Sequence, residues 1–200
     1  MSRALTGFVL TGGKSSRMGS DKALLRLPYG ETFAEHALGL VSSVATEVRL
    51  LGSREKYASF GWAGEIVEDI YPDRGPLGGI HAALRSTSTE LNLVLAVDMP
   101  AMSTACLEYL VSRAESSKAL VVVPDIGGTQ QPLCAVYRKE FHSIAEQALL
   151  DGRNKVNGAF RPEFTLVVTQ GELKSAGFSV ELFKNLNTQE EWSGFKAQKA

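Results

Sequence analysis

Continuous apolar runs alternate along the chain with segments whose apolar residues recur every three to four positions, which predicts strands and helices in turn. Phe8, Val9 and Leu10 close a first buried strand. Phe33, Ala37, Leu38, Val41 and Val44 share one face of a helix expected over 33–45, opened by the capping-box pair Thr32 and Glu35. Glu47 to Leu51 and Gly64 to Glu68 read as short strands, separated by a polar surface helix from Arg54 to Phe60. The stretch from Tyr71 to Ile80 is rich in turn residues and is expected to become helical only after Pro76, with Ile80, Ala83 and Leu84 inward. Asn92 to Val97 is the most continuous apolar strand, and unbroken hydrophobicity indicates cover on both faces.

That strand ends at Asp98-Met99-Pro100, after which Ser103 caps a helix with Leu107, Leu110, Val111 and Ala114 on one face. Leu120 to Val123 is a further apolar strand, expected to stop at Pro124. Pro132 to Tyr137 reads as a strand, Glu140 to Leu150 as a helix with Phe141, Ile144, Ala145 and Ala148 inward, and Phe164 to Val168 as another strand. Thr188 and Glu191 repeat the capping pattern, so 185–188 is expected to run into a last helix and the tail after Trp192 to fray. Strands alternating with helices make this an α/β protein with a mostly parallel twisted sheet and helices on both faces. Such sheets bind ligands beyond the carboxyl ends of their strands. Asp69, Asp98 and the connection after Leu10 all fall there.

Two hundred residues with 44% hydrophobic content suit one domain, and a formal net charge of -1 argues against a polyanion-binding protein. Cys106 and Cys134 form no Cys-x-x-Cys pair and read as buried, reduced thiols of a cytoplasmic protein. His36, His81 and His142 lack metal-ligand spacing. No apolar run approaches the ~20 residues that span a bilayer, and the N-terminus lacks the long apolar centre of a signal peptide.

Basic character is local instead. Between Leu10 and Lys22 the chain reads Leu-Thr-Gly-Gly-Lys-Ser-Ser-Arg-Met-Gly-Ser-Asp-Lys, with Gly12, Gly13 and Gly19 among Lys14, Arg17 and Lys22. Between a strand and a helix, such a loop turns backbone N–H groups toward phosphate. It is no P-loop, because the required first glycine is Phe8, and no dinucleotide fingerprint, because Lys14 and Arg17 occupy its glycine positions. Arg17 and Lys22 are expected on the β- and γ-phosphates of a nucleoside triphosphate, where they would stabilise departing pyrophosphate. Asp98 is the candidate Mg2+ ligand, since a carboxylate ending a buried strand is costly without a cation. Capping of the Met99-Pro100 turn is its competing role. For Asp69 a nucleotide contact and a solvated charge run with Glu68 and Asp73 stand equal. Gly75, Gly78 and Gly79 fit close backbone approach to a base as well as they fit a simple turn.

Together with Gly75-Pro-Leu-Gly-Gly79, Asp98-Met-Pro100, Gln131-Pro-Leu-Cys-Ala-Val-Tyr-Arg138 and Asn185-Leu-Asn-Thr188, the loop resembles the molybdenum cofactor guanylyltransferases, block by block over nearly the whole chain. The resemblance implies a single Rossmann-like nucleotidyltransferase domain over 1–200, with 1–125 mainly nucleotide-binding and 126–195 mainly acceptor-binding. It implies GTP at Leu10, Thr11, Gly12, Gly13, Lys22, Asp69, Gly78 and Asp98, and Mg2+ on Asp98. Catalysis would rest on Arg17, Lys22 and Asp98, and the molybdopterin side on Arg153, Lys155, Asn185 and Asn187. Gly12-Gly13 resembles the guanine-using branch. Thr11 departs from the family's usual alanine, and Leu51 stands where some members place asparagine.

The implied reaction is transfer of GMP from GTP to the terminal phosphate of molybdopterin. The implied protein is a monomer that meets cofactor-biosynthesis proteins or apo-molybdoenzymes transiently and binds neither nucleic acid nor membrane. Cytidylyl transfer, another phosphorylated acceptor, or a non-catalytic nucleotide-binding delivery protein are the alternatives.

Overall fold

The computed structural model describes residues 4–11, 22–57, 61–62, 64–186 and 191. Among them eight strands form one sheet in the order β3-β2-β1-β4-β7-β5-β6, with β8 beside β5. The strands are β1 (Leu5–Leu10), β2 (Glu47–Leu51), β3 (Glu65–Val67), β4 (Leu91–Ala96), β5 (Val121–Ile126), β6 (Thr129–Gln130), β7 (Cys134–Arg138) and β8 (Thr165–Thr169). The helices are α1 (Phe33–Ser42), α2 (Arg54–Tyr57), α3 (Gly75–Ser86), α4 (Thr104–Glu115), α5 (Phe141–Leu150) and α6 (Gln170–Ser175). No described helix is long and apolar enough to cross a membrane.

Period-two alternation along the strands builds two cores, one on each face of the sheet. Leu5 and Val9 of β1, Leu93 and Leu95 of β4, and Cys134 and Val136 of β7 pack toward α1, α4 and α6. Phe8 and Leu10, Val94, and Ala135 and Tyr137 point the other way, toward α3 and α5. Cys106 and Cys134 are buried and unpaired, and burial pushes Cys106 up to about 11 and Cys134 well up, so both remain thiols.

Several boundaries differ from the sequence pattern for identifiable reasons. α1 ends at Ser42, because the amides of Val44 and Ala45 both turn back to the Val41 carbonyl (3.1 and 2.9 Å). α3 begins at Gly75, with Pro76 in its first turn, where a missing N–H costs no helical bond. β5 runs through Pro124 rather than stopping before it. At Pro124 the strand passes from β7 as neighbour to β6, and its carbonyl accepts from the Gln131 amide at 2.8 Å. Residues 58–60 and Thr188 of the expected capping pair lie outside the described residues.

The largest departure is β7, which runs antiparallel to both β4 and β5. Gly127 and Gly128 have φ of 60° and 83°, the pair of left-handed residues a two-residue hairpin turn requires, so the chain reverses after β5. Every other long pairing (β1 with β2 and β4, β2 with β3, β5 with β8) is parallel.

Between β1 and β4 the strand order reverses, since the chain leaves β1 toward β2 and β3 and returns through α3 to the opposite side. This is the crevice where open α/β sheets bind ligands. α1 seats tightly behind it, because Gly7 offers no side chain: a Cβ there would lie 2.1 Å from Val41 Cγ1 and 3.0 Å from Ala45 Cβ. Gly7→Ala is therefore expected to destabilise the fold by about 1–3 kcal/mol. Adding Val41→Ala should return part of that loss in urea unfolding, whereas additive losses would show that the helix does not sit this close.

Candidate active site

At the carboxyl end of β1 the Leu10 carbonyl accepts the Val97 amide at 3.1 Å, which carries the β1–β4 pairing one residue past β4 and fixes the start of the Asp98 loop. Lys22 opens a single 3-10 turn (Lys22–Leu24) on the other side of the crevice, with Nζ 3.6 Å from Asp98 Oδ2. The side chains are 8% and 23% exposed, so the pair sits below the surface. Burial pushes the Asp98 carboxyl above the usual carboxylate range, opposed by Lys22. Burial also lowers the Lys22 ammonium, opposed chiefly by Asp98. Each charge is under-compensated by the other. Asp98 Oδ1 is buried with no hydrogen-bond partner.

Local bonds set these positions. Leu25 N–H donates to the Lys22 carbonyl (3.1 Å), Phe33 N–H to Leu25 (3.0 Å) and Leu27 N–H to Glu31 (2.7 Å), folding 22–33 into a compact turn. Thr32 and Glu35 form the full capping box, with bonds of 2.6 and 3.1 Å. On the Asp98 side, the Leu186 amide donates to the Asp98 carbonyl at 3.0 Å, and Leu186 itself is buried against the α1/α4 core. That bond sets Asn185, the preceding residue, beside the Asp98 loop.

A second group forms where β3 leads into α3. The Asp69 carboxylate lies across the first turn of α3, its two oxygens 3.6 Å from where Cβ atoms of Gly78 and Gly79 would stand. At Gly79 the Leu10 side chain is 3.1 Å from the same point, so Leu10, Asp69 and Gly78 are neighbours. Burial, with Asp73 adding to it, raises Asp69 above the usual carboxylate range. The Tyr71 hydroxyl donates to Glu146 Oε1 of α5 at 3.1 Å, and its ring packs on His81 at 5.3 Å between centroids. His81 is fully buried, both ring nitrogens lack a hydrogen bond, and Nε2 stands 3.7 Å from Glu146 Oε1.

Thr11 and Leu51, the two departures from the family pattern, support each other. Thr11 donates from both its amide (3.2 Å) and its hydroxyl (2.8 Å) to the Leu51 carbonyl, while the Leu51 side chain is buried toward α3. Arg153 and Lys155 follow α5, which returns toward the carboxyl edge, and both are exposed. Arg153 is engaged locally, with Asp151 at 2.8 Å and the Gly158 carbonyl at 3.3 Å, and does not contact the Lys22–Asp98 pair. Gly12, Gly13, Arg17 and Asn187 lie outside the described residues. The Leu186 anchor and the Tyr71–Glu146–His81 group carry no sequence signal, because each depends on which elements meet in space.

Comparison with known proteins assigns the class. Residues 7–162 match the family model described as the MobA-like NTP transferase domain, which makes the chain a nucleotidyltransferase. It is 33% identical over 195 residues to the probable molybdenum cofactor guanylyltransferase of Clostridium perfringens strain 13, covering 92% of each chain. To the molybdenum cofactor guanylyltransferase of Desulfosudis oleivorans it is 29% identical over 188 residues, covering 94% of this chain and 92% of that one. The crystal structure of molybdopterin-guanine dinucleotide biosynthesis protein A from Archaeoglobus fulgidus superposes with a TM-score of 0.83 at 26% identity, over 97% of this chain and 98% of the other. The chain belongs to the MobA-like NTP transferase family.

Removing one member of the Lys22–Asp98 pair takes from the other, buried charge its ion-pair partner 3.6 Å away, whereas removing both leaves no such mismatch. Asp98→Asn and Lys22→Met should each lower the melting temperature, and the double variant should recover most of the loss, while all three lose turnover; additive melting losses would rule out the coupling.

Burial lowers the His81 pKa below its ordinary value of about 6.5, opposed by Glu146 and reinforced by His142 and Arg85. The neutral ring therefore stabilises the fold above pH ~6.5, and that contribution is lost as pH falls through the lower folded value. His81→Leu should flatten the dependence of the urea midpoint on pH below ~6.5; an unchanged slope would place the acid sensitivity elsewhere.

Proposed function

We propose that the chain transfers GMP from GTP to the terminal phosphate of molybdopterin, forming molybdopterin guanine dinucleotide and releasing pyrophosphate. The observation that carries this reading is the Lys22–Asp98 pair at the strand-order switch, with one carboxylate oxygen on the ammonium and the other buried without a partner. The guanylyltransferase names of the similar proteins support the choice of nucleotide and acceptor.

Asp98 Oδ1 fits a divalent cation that takes one protein carboxylate and completes its shell with phosphate oxygens and water, the habit of Mg2+. Among the described residues no cluster of three or more His, Cys, Asp or Glu offers a denser cage. Asp98 would hold Mg2+, and the ion would supply charge neutralisation for the triphosphate. Lys22, together with Arg17, would bind the β- and γ-phosphates. An oxygen of the acceptor phosphate bonds to the α-phosphorus in line, the bond to the α,β-bridging oxygen breaks, and its electron pair leaves with pyrophosphate. Positioning and electrostatics carry such chemistry, so neither a covalent protein intermediate nor a protein base is required.

On this reading residues 1–125 supply the nucleotide side: Leu10, Thr11, Gly12 and Gly13 for the phosphates and nucleoside, Asp69 and Gly78 for the nucleoside. Residues 126–195 supply the acceptor side, with Asn185, Asn187, Arg153 and Lys155 as the residues assigned to an anionic acceptor.

Incubating the protein with molybdopterin, Mg2+ and either GTP or CTP is expected to yield pyrophosphate and a guanine dinucleotide, with GTP preferred. EDTA should stop the reaction and added Mg2+ restore it. A preference for CTP would move the protein to cytidylyl transfer, and nucleotide binding without pyrophosphate release would make it a carrier.

A further inference from the structure

We propose that His36 is a positioning residue for the Lys22–Asp98 pair, tying the turn that carries Lys22 to the loop that carries Asp98. The proposal rests on the reading of that pair as the phosphate and metal site.

His36 lies in the second turn of α1, where its amide donates to the Thr32 carbonyl at 3.0 Å behind the capping box. Its ring reaches in two directions. Nδ1 is 2.7 Å from Glu31 Oε1, and Nε2 is 3.1 Å from the Pro100 carbonyl oxygen. Carboxylate and carbonyl are both acceptors, so both bonds form together only when each ring nitrogen carries a proton. Tyr29 packs on the ring at 5.7 Å between centroids.

The two partners belong to the two sides of the crevice. Glu31 sits in the turn whose backbone bonds run from Lys22 through Leu25 and Leu27 to Phe33. Pro100 is two residues beyond Asp98 and has no N–H, so its carbonyl is the backbone handle available there. The imidazole therefore bridges, from behind, two segments whose charged side chains meet 3.6 Å apart in front. The side chain is 19% exposed and stands apart from the helix's buried residues Phe33, Ala34, Ala37, Leu38 and Val41, so its removal empties no core position.

Asparagine places its amide nitrogen near the position of Nδ1, and glutamine near that of Nε2. Only His36→Gln keeps a donor for Pro100. We expect His36→Ala and His36→Asn to lower kcat about tenfold with KM for the nucleotide within about twofold. His36→Gln should remain within about twofold of wild type, and all three should melt close to it. Calorimetric titration of GTP with and without Mg2+ gives a readout that needs no turnover: the gain in affinity on adding Mg2+ should shrink in the Ala and Asn variants and persist in Gln. Equal behaviour of Asn and Gln, an unchanged Mg2+ gain in all three, or activity losses that follow loss of folded protein would overturn the proposal. If wild type binds Mg-GTP but transfers nothing to molybdopterin, the acceptor reading falls while the Mg2+ gain still decides the role of His36. If wild type does not bind GTP, the same titrations are run with CTP.

Discussion

The crevice depends on the cost of holding one ammonium and one carboxylate below the surface, 3.6 Å apart. Burial drives Lys22 and Asp98 toward their neutral forms, and the 3.6 Å contact offsets that only in part. Two apolar side chains in their place would be the easier solution for folding. On the proposed reading, a triphosphate with its cation would set a positive charge against Asp98 Oδ1, which is buried without a hydrogen bond. Backbone bonds in the turn after Lys22 and at the Asp98 carbonyl hold the two residues in place.

Much of the scaffold was legible because burial on two faces writes itself into sequence. Every residue of β1 and β4 is buried, and the alternation of Phe8 with Val9, or of Val94 with Leu95, decides which helix layer each meets. Caps were equally readable, since Thr32 and Ser103 act within three residues of themselves. Strand direction was not. The antiparallel course of β7 follows from the left-handed pair Gly127-Gly128, whose consequence for strands on either side appears only when the whole sheet is assembled. Pro124 misled for a related reason: a missing N–H stops a strand only if a neighbour needed it, and there the neighbour changes.

The site divides in the same way. Asp98 and Lys22 were legible as strand-end and loop residues, and the structure joins them. Resemblance across a block of sequence is less discriminating, because a strand has two ends. The block from Gln131 to Arg138 begins at the carboxyl edge, but β7 carries it to the far edge, where Arg138 pairs with Glu90 and donates to the carbonyls of Ala114, Ser117 and Ala119. Arg138 holds the end of α4 in place. A family motif that contains it records a structural clamp as readily as a contact with substrate.

The two carboxylates of the crevice are mounted from opposite layers. Asp98 is reached from the α1/α4 face, through Leu186 and through the Pro100 carbonyl held by His36. Asp69 is reached from the α3/α5 face, where Gly78 and Gly79 let its carboxylate lie across the start of α3 and Tyr71 links the adjoining turn to Glu146. The paired strands β1 and β4 lie between them. On the proposed reading, changes in one layer would act on the phosphate end of the crevice and changes in the other on the Asp69 end. On that reading the fold gives the charge at the α-phosphate and the surroundings of Asp69 separate supports, one in each helix layer.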